Sequence, residues 1–239
     1  MEILKLGADT RHLDKARYEH YKEDCRLVDL SECVDLKEIP ESMFLDWTAL
    51  EEVLLPESLE RIEDFAFMST SSLTKINLPD NIKEIGDDSF DGSGLEILEL
   101  PASLERIKQL GTIENLKLLD MSKCVNIKKI PDRFLFGYDM ARLVILPPHL
   151  EVIGDKSFGY VNYLIVPPTV KRIGEIEKVG IFCLSENVES LRKMKKCVFN
   201  VPEHLYGKYL RIFKKEQLDE DINGDVNKLW CDWEYWYKK

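Results

Sequence analysis

The run LPDNIKEIGDDSF at 78–90 returns almost intact as LPESLERIEDFAF at 55–67 and LPPHLEVIGDKSF at 146–158, with a shortened copy, LPASLERIKQL, at 100–110. Near-copies spaced a little over twenty residues apart constrain a chain more than its length or composition does. Each repeat is one supersecondary unit that cannot bury an apolar face alone, so the units must stack into a coil. Every copy is entered through a short alternating stretch: LEEVLLP, LTKINLP, LEILELP, ARLVILP and VNYLIVP. Alternation with period two is the mark of a strand.

Aligned on the last inward position of that stretch, the repeats run Leu30, Leu55, Leu78, Leu100, Met121, Leu146, Val166, Leu184 and Val201, which predicts nine turns between residues 25 and 202. The spacing falls from 25 residues at the start to 17 at the end, so the coil tightens. Two units without Leu-Pro keep the register. VDLSECVDLKEIPESMF at 28–44 matches LDMSKCVNIKKIPDRFLF at 119–136, an offset of 91 residues or four repeats.

In each turn the inward residues of the strand stack on their equivalents in the next turn, with backbones paired in parallel about 4.8 Å apart. Proline removes a ladder donor and fixes φ, so it closes the strand. The I-x-x-I step sends two more apolar residues inward, and Phe67, Phe90 and Phe158 fill the far side. Gly86, Gly154 and Gly174 follow the second isoleucine, where a turn with permissive dihedrals is expected. Cys33 and Cys124 are expected to be buried thiols. Four turns would hold them roughly 19 Å apart, beyond the ~7 Å Cα limit of a disulfide.

The formal charge of −11, from 33 Lys and Arg against 44 Asp and Glu, argues against a nucleic-acid partner, which needs clustered positive charge. No apolar run approaches the ~18 residues of a membrane span. The start, MEILKLGADTRHLDK, has neither a basic leader nor a long apolar segment, so the chain as it stands reads as cytoplasmic; removal of a leader would place it at the cell surface or outside the cell. No cofactor, metal or catalytic constellation is expected. DEDINGDVNKLWCD at 219–232 fails the calcium-loop pattern in both frames, with Trp230 at position twelve in one and Val226 in the glycine position of the other. His12, His20, His149 and His204 lie far apart in sequence, with His12 and His20 two turns apart on one expected helix and too distant to share a metal, and the charges of ERIED are expected on solvated turn faces.

The pattern in INLPDNIKEIGDDSF and VILPPHLEVIGDKSF resembles the BspA-like leucine-rich repeat family across residues 25–202. VPEHLYGKYLRIF at 201–213 is similar to the unit that often closes such arrays. The resemblance implies a leucine-rich-repeat solenoid of the α/β repeat class: one curved sheet of short parallel strands, irregular or single-turn helical connections opposite it, and helical caps. It also implies a non-catalytic scaffold for a protein partner, often at a bacterial surface and engaged with host or matrix proteins.

Residues 1–24 are expected to form an N-terminal cap, with Asp9 or Thr10 capping a helix whose face carries Leu13, Ala16, Arg17 and His20. Residues 203–239 are expected to hold a helix and an aromatic tail containing Trp230, Trp233 and Trp236, which either folds back on the coil or offers a partner site. The candidate site is the outward face of the later strands. Three places before the last inward position stand Ile97, Leu118, Leu143, Tyr163, Ile181 and Val198, and one place before it stand Ile145 and Ile165. A solvated sheet face should be polar, so this strip is expected to be covered by a protein partner, by the tail or by a second copy.

Overall fold

The alternating stretches form strands that stack in parallel along a coil. The computed structural model describes residues 2–176, 178–183, 190–191 and 199–200. Its front sheet opens with Glu2–Lys5, Cys25–Asp29, Glu52–Leu54 and Lys75–Ile76. A second ladder continues with Ile97–Glu99, Leu118–Asp120, Leu135–Ile145, Phe158–Ile165, Lys178–Cys183 and Phe199–Asn200. The register follows the repeat alignment, with Ile97, Leu118, Leu143, Tyr163 and Ile181 in one line of cross-strand partners. Between them on the inward side, Leu98, Leu119, Val144 and Leu164 are fully enclosed, and each such side chain contributes about 1.5–3 kcal/mol by leaving water.

Where the sequence suggested irregular or helical connections, the I-x-x-I step forms a second set of parallel strands. Glu38–Ile39, Arg61–Ile62, Glu84–Ile85 and Arg106–Ile107 make one ladder; Lys129–Ile130, Val152–Ile153, Arg172–Ile173 and Ser190–Leu191 make another. Strands of two residues are too short for their alternation to show in a sequence. Seven successive turns, from Cys25 to Ile173, carry one strand of each kind. The link between them is a β-turn: the amides of Leu59, Ile82, Leu104 and Leu150 donate to the carbonyls of Pro56, Pro79, Pro101 and Pro147. That geometry drops the first apolar residue of the step into the core three places after the proline.

On the far side Phe44, Phe67 and Phe90 stack, with centroids 5.2 and 5.6 Å apart and planes within 15° and 4° of parallel. Trp47 meets Phe44 edge-on at 5.0 Å. The fourth turn has Leu110 in this spine, fully enclosed. Beside the spine, the first Asp after the I-x-x-I step carries hydrogen bonds from turn to turn. Asp64 accepts the Asp87 N–H at 2.7 Å, Asp87 the Gln109 N–H at 3.1 Å, and Asp132 the Asp155 N–H at 3.0 Å. The acidic turn of GDDSF is therefore scaffold.

The glycines have a different reason from the one expected. Gly86 and Gly154 do not take left-handed dihedrals; a Cβ on Gly154 would lie 2.7 Å from the Asp132 backbone nitrogen, and one on Gly86 2.5 Å from that of Asp64. They let two turns approach. The left-handed positions come two residues later, at Asp88 (φ 46°) and Lys156 (φ 53°).

The N-terminal segment also differs. Glu2–Lys5 joins the front sheet, with Leu4 opposite Val28, so parallel pairing starts before residue 25. Helix is limited to Lys15–Tyr18 and a 3-10 turn at Glu19–Tyr21, and the N-cap is Asp14, which accepts the Ala16 N–H at 3.0 Å, in place of Asp9 or Thr10. Leu13 and Tyr18 are buried, while Ala16, Arg17 and His20 are exposed. The C-terminal helix and aromatic tail expected at 203–239 lie outside the described residues.

Candidate functional site on the front sheet

The two strand systems present unlike faces to solvent. Along the first I-x-x-I ladder the outward charges alternate from turn to turn, whereas the second aligns Lys129, Val152 and Arg172. Lys37 and Lys83 both reach Glu60, at 3.2 and 2.8 Å; Arg61 pairs with Glu38, and Arg106 with Glu84 at 2.6 Å. Lys171 meets Glu151 at 3.4 Å. Charges that cancel in this way leave little field to attract a partner, and solvent screens exposed pairs of this kind.

The N-terminal part of the front sheet is likewise taken up by ion pairs. Lys5 reaches Asp29 and Glu32 at 3.4 and 3.0 Å, Arg26 reaches Glu51 at 2.8 Å, and Lys75 lies 3.9 Å from Glu52. Hydrogen bonding from the Ser31 hydroxyl, opposed by burial and helped by Ser31 N–H and Lys5, holds the Asp29 carboxyl below its usual range.

From Ile97 onward the face turns apolar. Ile97 is 55% exposed and Tyr163 48%; Leu118, Leu143, Ile145 and Ile165 are half-buried by their neighbours in the sheet. Ile145 and Ile165 are cross-strand partners, parallel to the Leu143 and Tyr163 pair. Ile181 continues the line through its backbone pairing with Tyr163, and Val198 lies outside the described residues. One ion pair flanks the strip, Lys117 with Glu96 at 2.5 Å.

A second feature had gone unseen in the sequence. No ladder joins Lys75–Ile76 to Ile97–Glu99 among the described residues, and a cleft of about 520 Å³ opens there. Ile76 and Leu78, inward positions whose equivalents Val53, Leu55, Leu98 and Leu100 are no more than 2% exposed, are only half-buried beside it. On one side Asn77 uses its carboxamide in place of backbone: its Oδ1 accepts the Leu55 N–H at 2.7 Å and its Nδ2 donates to the Leu55 carbonyl at 3.2 Å. The sequence differs here by one residue, although connection length alone does not mark an open ladder, since Tyr163 follows Phe158 by five positions and still pairs with Leu143. Ile97 follows Phe90 by seven positions, where Glu52 follows Phe44 and Lys75 follows Phe67 by eight.

The cysteines expected to be buried are so. Cys33 and Cys124 are free thiols inside the coil, as is Cys25, and burial, with the Asp120 charge, pushes the Cys124 thiol up to about 12. Such a thiol stays protonated and unreactive. His12, His20 and His149 are exposed, the first two in the N-terminal segment and the third on the turn after Pro147. Among the described residues no group of three or more His, Cys, Asp or Glu side chains is placed to hold a metal ion, and no helix is long and apolar enough to cross a membrane.

Six copies of the BspA type leucine rich repeat match over residues 37–165, more than half of the chain. The chain belongs to this family. Among solved structures it is similar to a leucine-rich repeat protein from Bacteroides ovatus, with a TM-score of 0.53 and 14% identity over 83% of this chain and 60% of that one. At that identity the likeness speaks to the fold, and the chain spans less than two thirds of the Bacteroides protein. The leucine-rich repeat protein of T. pallidum aligns with a TM-score of 0.43 and 19% identity over 88% of this chain and 82% of that one. No curated protein matches the chain. A BspA type solenoid is typically non-enzymatic, and the family suggests a protein-interaction or surface module.

Proposed function

We propose that the chain is a non-catalytic recognition module that holds a protein partner against the apolar strip of its front sheet. One observation carries the reading. Ile97, Leu118, Leu143 and Tyr163, with Ile145 and Ile165 beside them, form an in-register apolar run on a solvent-facing parallel sheet, while the first I-x-x-I ladder and the N-terminal strands of the front sheet present paired charges. Parallel sheets ordinarily have both faces covered. The four strands from Ile97 to Tyr163 span roughly 14 Å at about 4.8 Å per step, enough for the central anchors of a protein interface. At a bacterial surface, the setting that the family suggests, the same strip would bind a host or matrix protein.

The test is the double variant Leu143→Asp, Ile165→Asp. Both side chains point outward, so the fold should survive. Removing two central apolar contacts should weaken partner capture by about 2 kcal/mol or more, ~30-fold in Kd. Sedimentation of the wild type and the variant reads a second outcome, a homodimer through the strip. Unchanged capture and unchanged association would show the face to be idle.

A further inference from the structure

The cleft between Lys75–Ile76 and Ile97–Glu99 has the makings of a site of its own. Its floor is core that neighbouring turns enclose: Ile76 and Leu78 are half-buried there. Its rim carries unused backbone donors. The Leu30, Leu100 and Met121 amides donate to the Leu54, Asp120 and Ile145 carbonyls of the following turn at 2.8, 2.9 and 2.9 Å, yet the equivalent Leu78 N–H has no acceptor among the described residues. The Ile97 N–H, matching Leu118 N–H, which donates to the Glu96 carbonyl, likewise has no acceptor in the preceding turn among the described residues. Polar groups that neighbouring turns pair are here left for water or a ligand.

The charge at the rim has a sign. Glu99 lines the cleft and is the cross-strand partner of Asp120; like charges directly opposite each other destabilise a sheet. Neither carboxylate forms an ion pair among the described residues. Asp80 also lines the cleft, while Asp120 lies outside the lining and accepts the Ser122 N–H at 2.8 Å; against Glu99 and Asp80 the lining offers Lys123, since Lys75 is occupied with Glu52. A cationic group brought to Glu99 and Asp120 would relieve the repulsion and gain charge-assisted hydrogen bonds.

We infer that this cleft binds an extended peptide segment of the partner, seating a large apolar side chain on Ile76 and Leu78 and an adjacent lysine or arginine against Glu99 and Asp120. The inference deepens the proposed recognition function and rests on it for its setting, because Ile97 belongs both to the cleft and to the strip. An extended segment uses the free strand edge through its main chain while alternate side chains fill pockets.

Two blocked dipeptides, acetyl-Leu-Arg-amide and acetyl-Leu-Glu-amide, test it by titration into the 15N-labelled full chain. The Leu-Arg probe should saturate in the millimolar range, with shifts concentrated at Ile76, Leu78, Ile97 and Glu99, and the Leu-Glu probe should bind at least about fivefold more weakly. The conservative variant Glu99→Gln, Asp120→Asn should erase that preference while leaving the spectrum elsewhere intact. Leu143→Asp, Ile165→Asp should bind the dipeptide as the wild type does, so loss of partner capture in that variant speaks to the strip and not to the cleft. Equal binding of the two probes, shifts located elsewhere, or no saturable shift overturns the inference. So does a concentration-dependent shift of the same amides without peptide, which would assign the cleft to a second copy.

Discussion

Phe67 is the ring on which the spine depends, and its removal gives a calculable loss. It is fully enclosed, with Phe44 stacked at 5.2 Å on one side and Phe90 at 5.6 Å on the other. Phe→Ala in a core costs about 3–5 kcal/mol through lost transfer energy and the cavity left behind. A pair of rings adds ~0.5–1.5 kcal/mol beyond the buried area, and Phe67 has two such pairs, so Phe67→Ala should fall near the top of the range, about 4–5 kcal/mol. At ~2–4 °C per kcal/mol for a chain of this size, the midpoint should fall by roughly 8–20 °C. Urea unfolding followed by circular dichroism, with linear extrapolation, measures the free energy. Neighbour coupling sharpens the test: Phe44→Ala, Phe67→Ala should deviate from additivity by about 0.5–1.5 kcal/mol, whereas Phe67→Ala, Phe158→Ala should add within ~0.5 kcal/mol. A loss under ~2 kcal/mol, or strict additivity of the adjacent pair, would refute the stacked spine as a source of cohesion between turns.

Other consequences follow from the turns. Gly154→Ala should cost about 1–3 kcal/mol by pushing a methyl into the Asp132 backbone, seen as a lower urea midpoint with unchanged slope; no loss would mean that the turns are not in close approach there. The acidic turns make a pH prediction with opposite signs at two carboxyls. Burial, with the charges of Asp91, Asp87 and Asp64, raises the Asp88 carboxyl above its ordinary value, so its ionised form weakens the fold, and Asp88→Asn should stabilise near neutral pH with the gain fading as pH falls through the raised value. For Asp64, burial is outweighed by the Lys108 hydrogen bond, the Asp87 N–H and the Lys108 charge, and the carboxyl is lowered. Its contribution is present above the unfolded value and lost as pH falls through the folded one, so Asp64→Asn should destabilise near neutral pH and the deficit should shrink in acid. Thermal midpoints from pH 7 down to pH 3 check both, and matching signs for the two variants would contradict the assignment.

What could be read from the sequence was whatever recurs locally. The alternating stretch before each Leu-Pro step reports both the inward residues and the register, because one side chain in two must meet its copy in the next turn; Leu98, Leu119, Val144 and Leu164 follow from it. The outward strip follows by the same count. Features set by contacts with a neighbouring turn were not readable. Gly86 looks like a turn glycine until Asp64, more than twenty residues earlier, is seen against it. Glu2–Lys5 has no proline to mark it as a strand, and Asp14 competes on paper with Asp9 and Thr10 as a cap. The cleft could not be read either: the step from Phe90 to Ile97 is one residue short, but the step from Phe158 to Tyr163 is shorter still and its ladder closes.

The central claim, recognition through the front sheet, is tested most directly by side-chain footprinting of the chain bound to its captured partner. Hydroxyl-radical labelling, resolved by peptide mass spectrometry, should show Ile97, Leu118, Leu143, Ile145, Tyr163 and Ile165 losing reactivity on binding while Val34 and Val125, exposed on turns outside the strip, keep theirs. Protection at Val34 and Val125 with the strip still reactive would contradict the account.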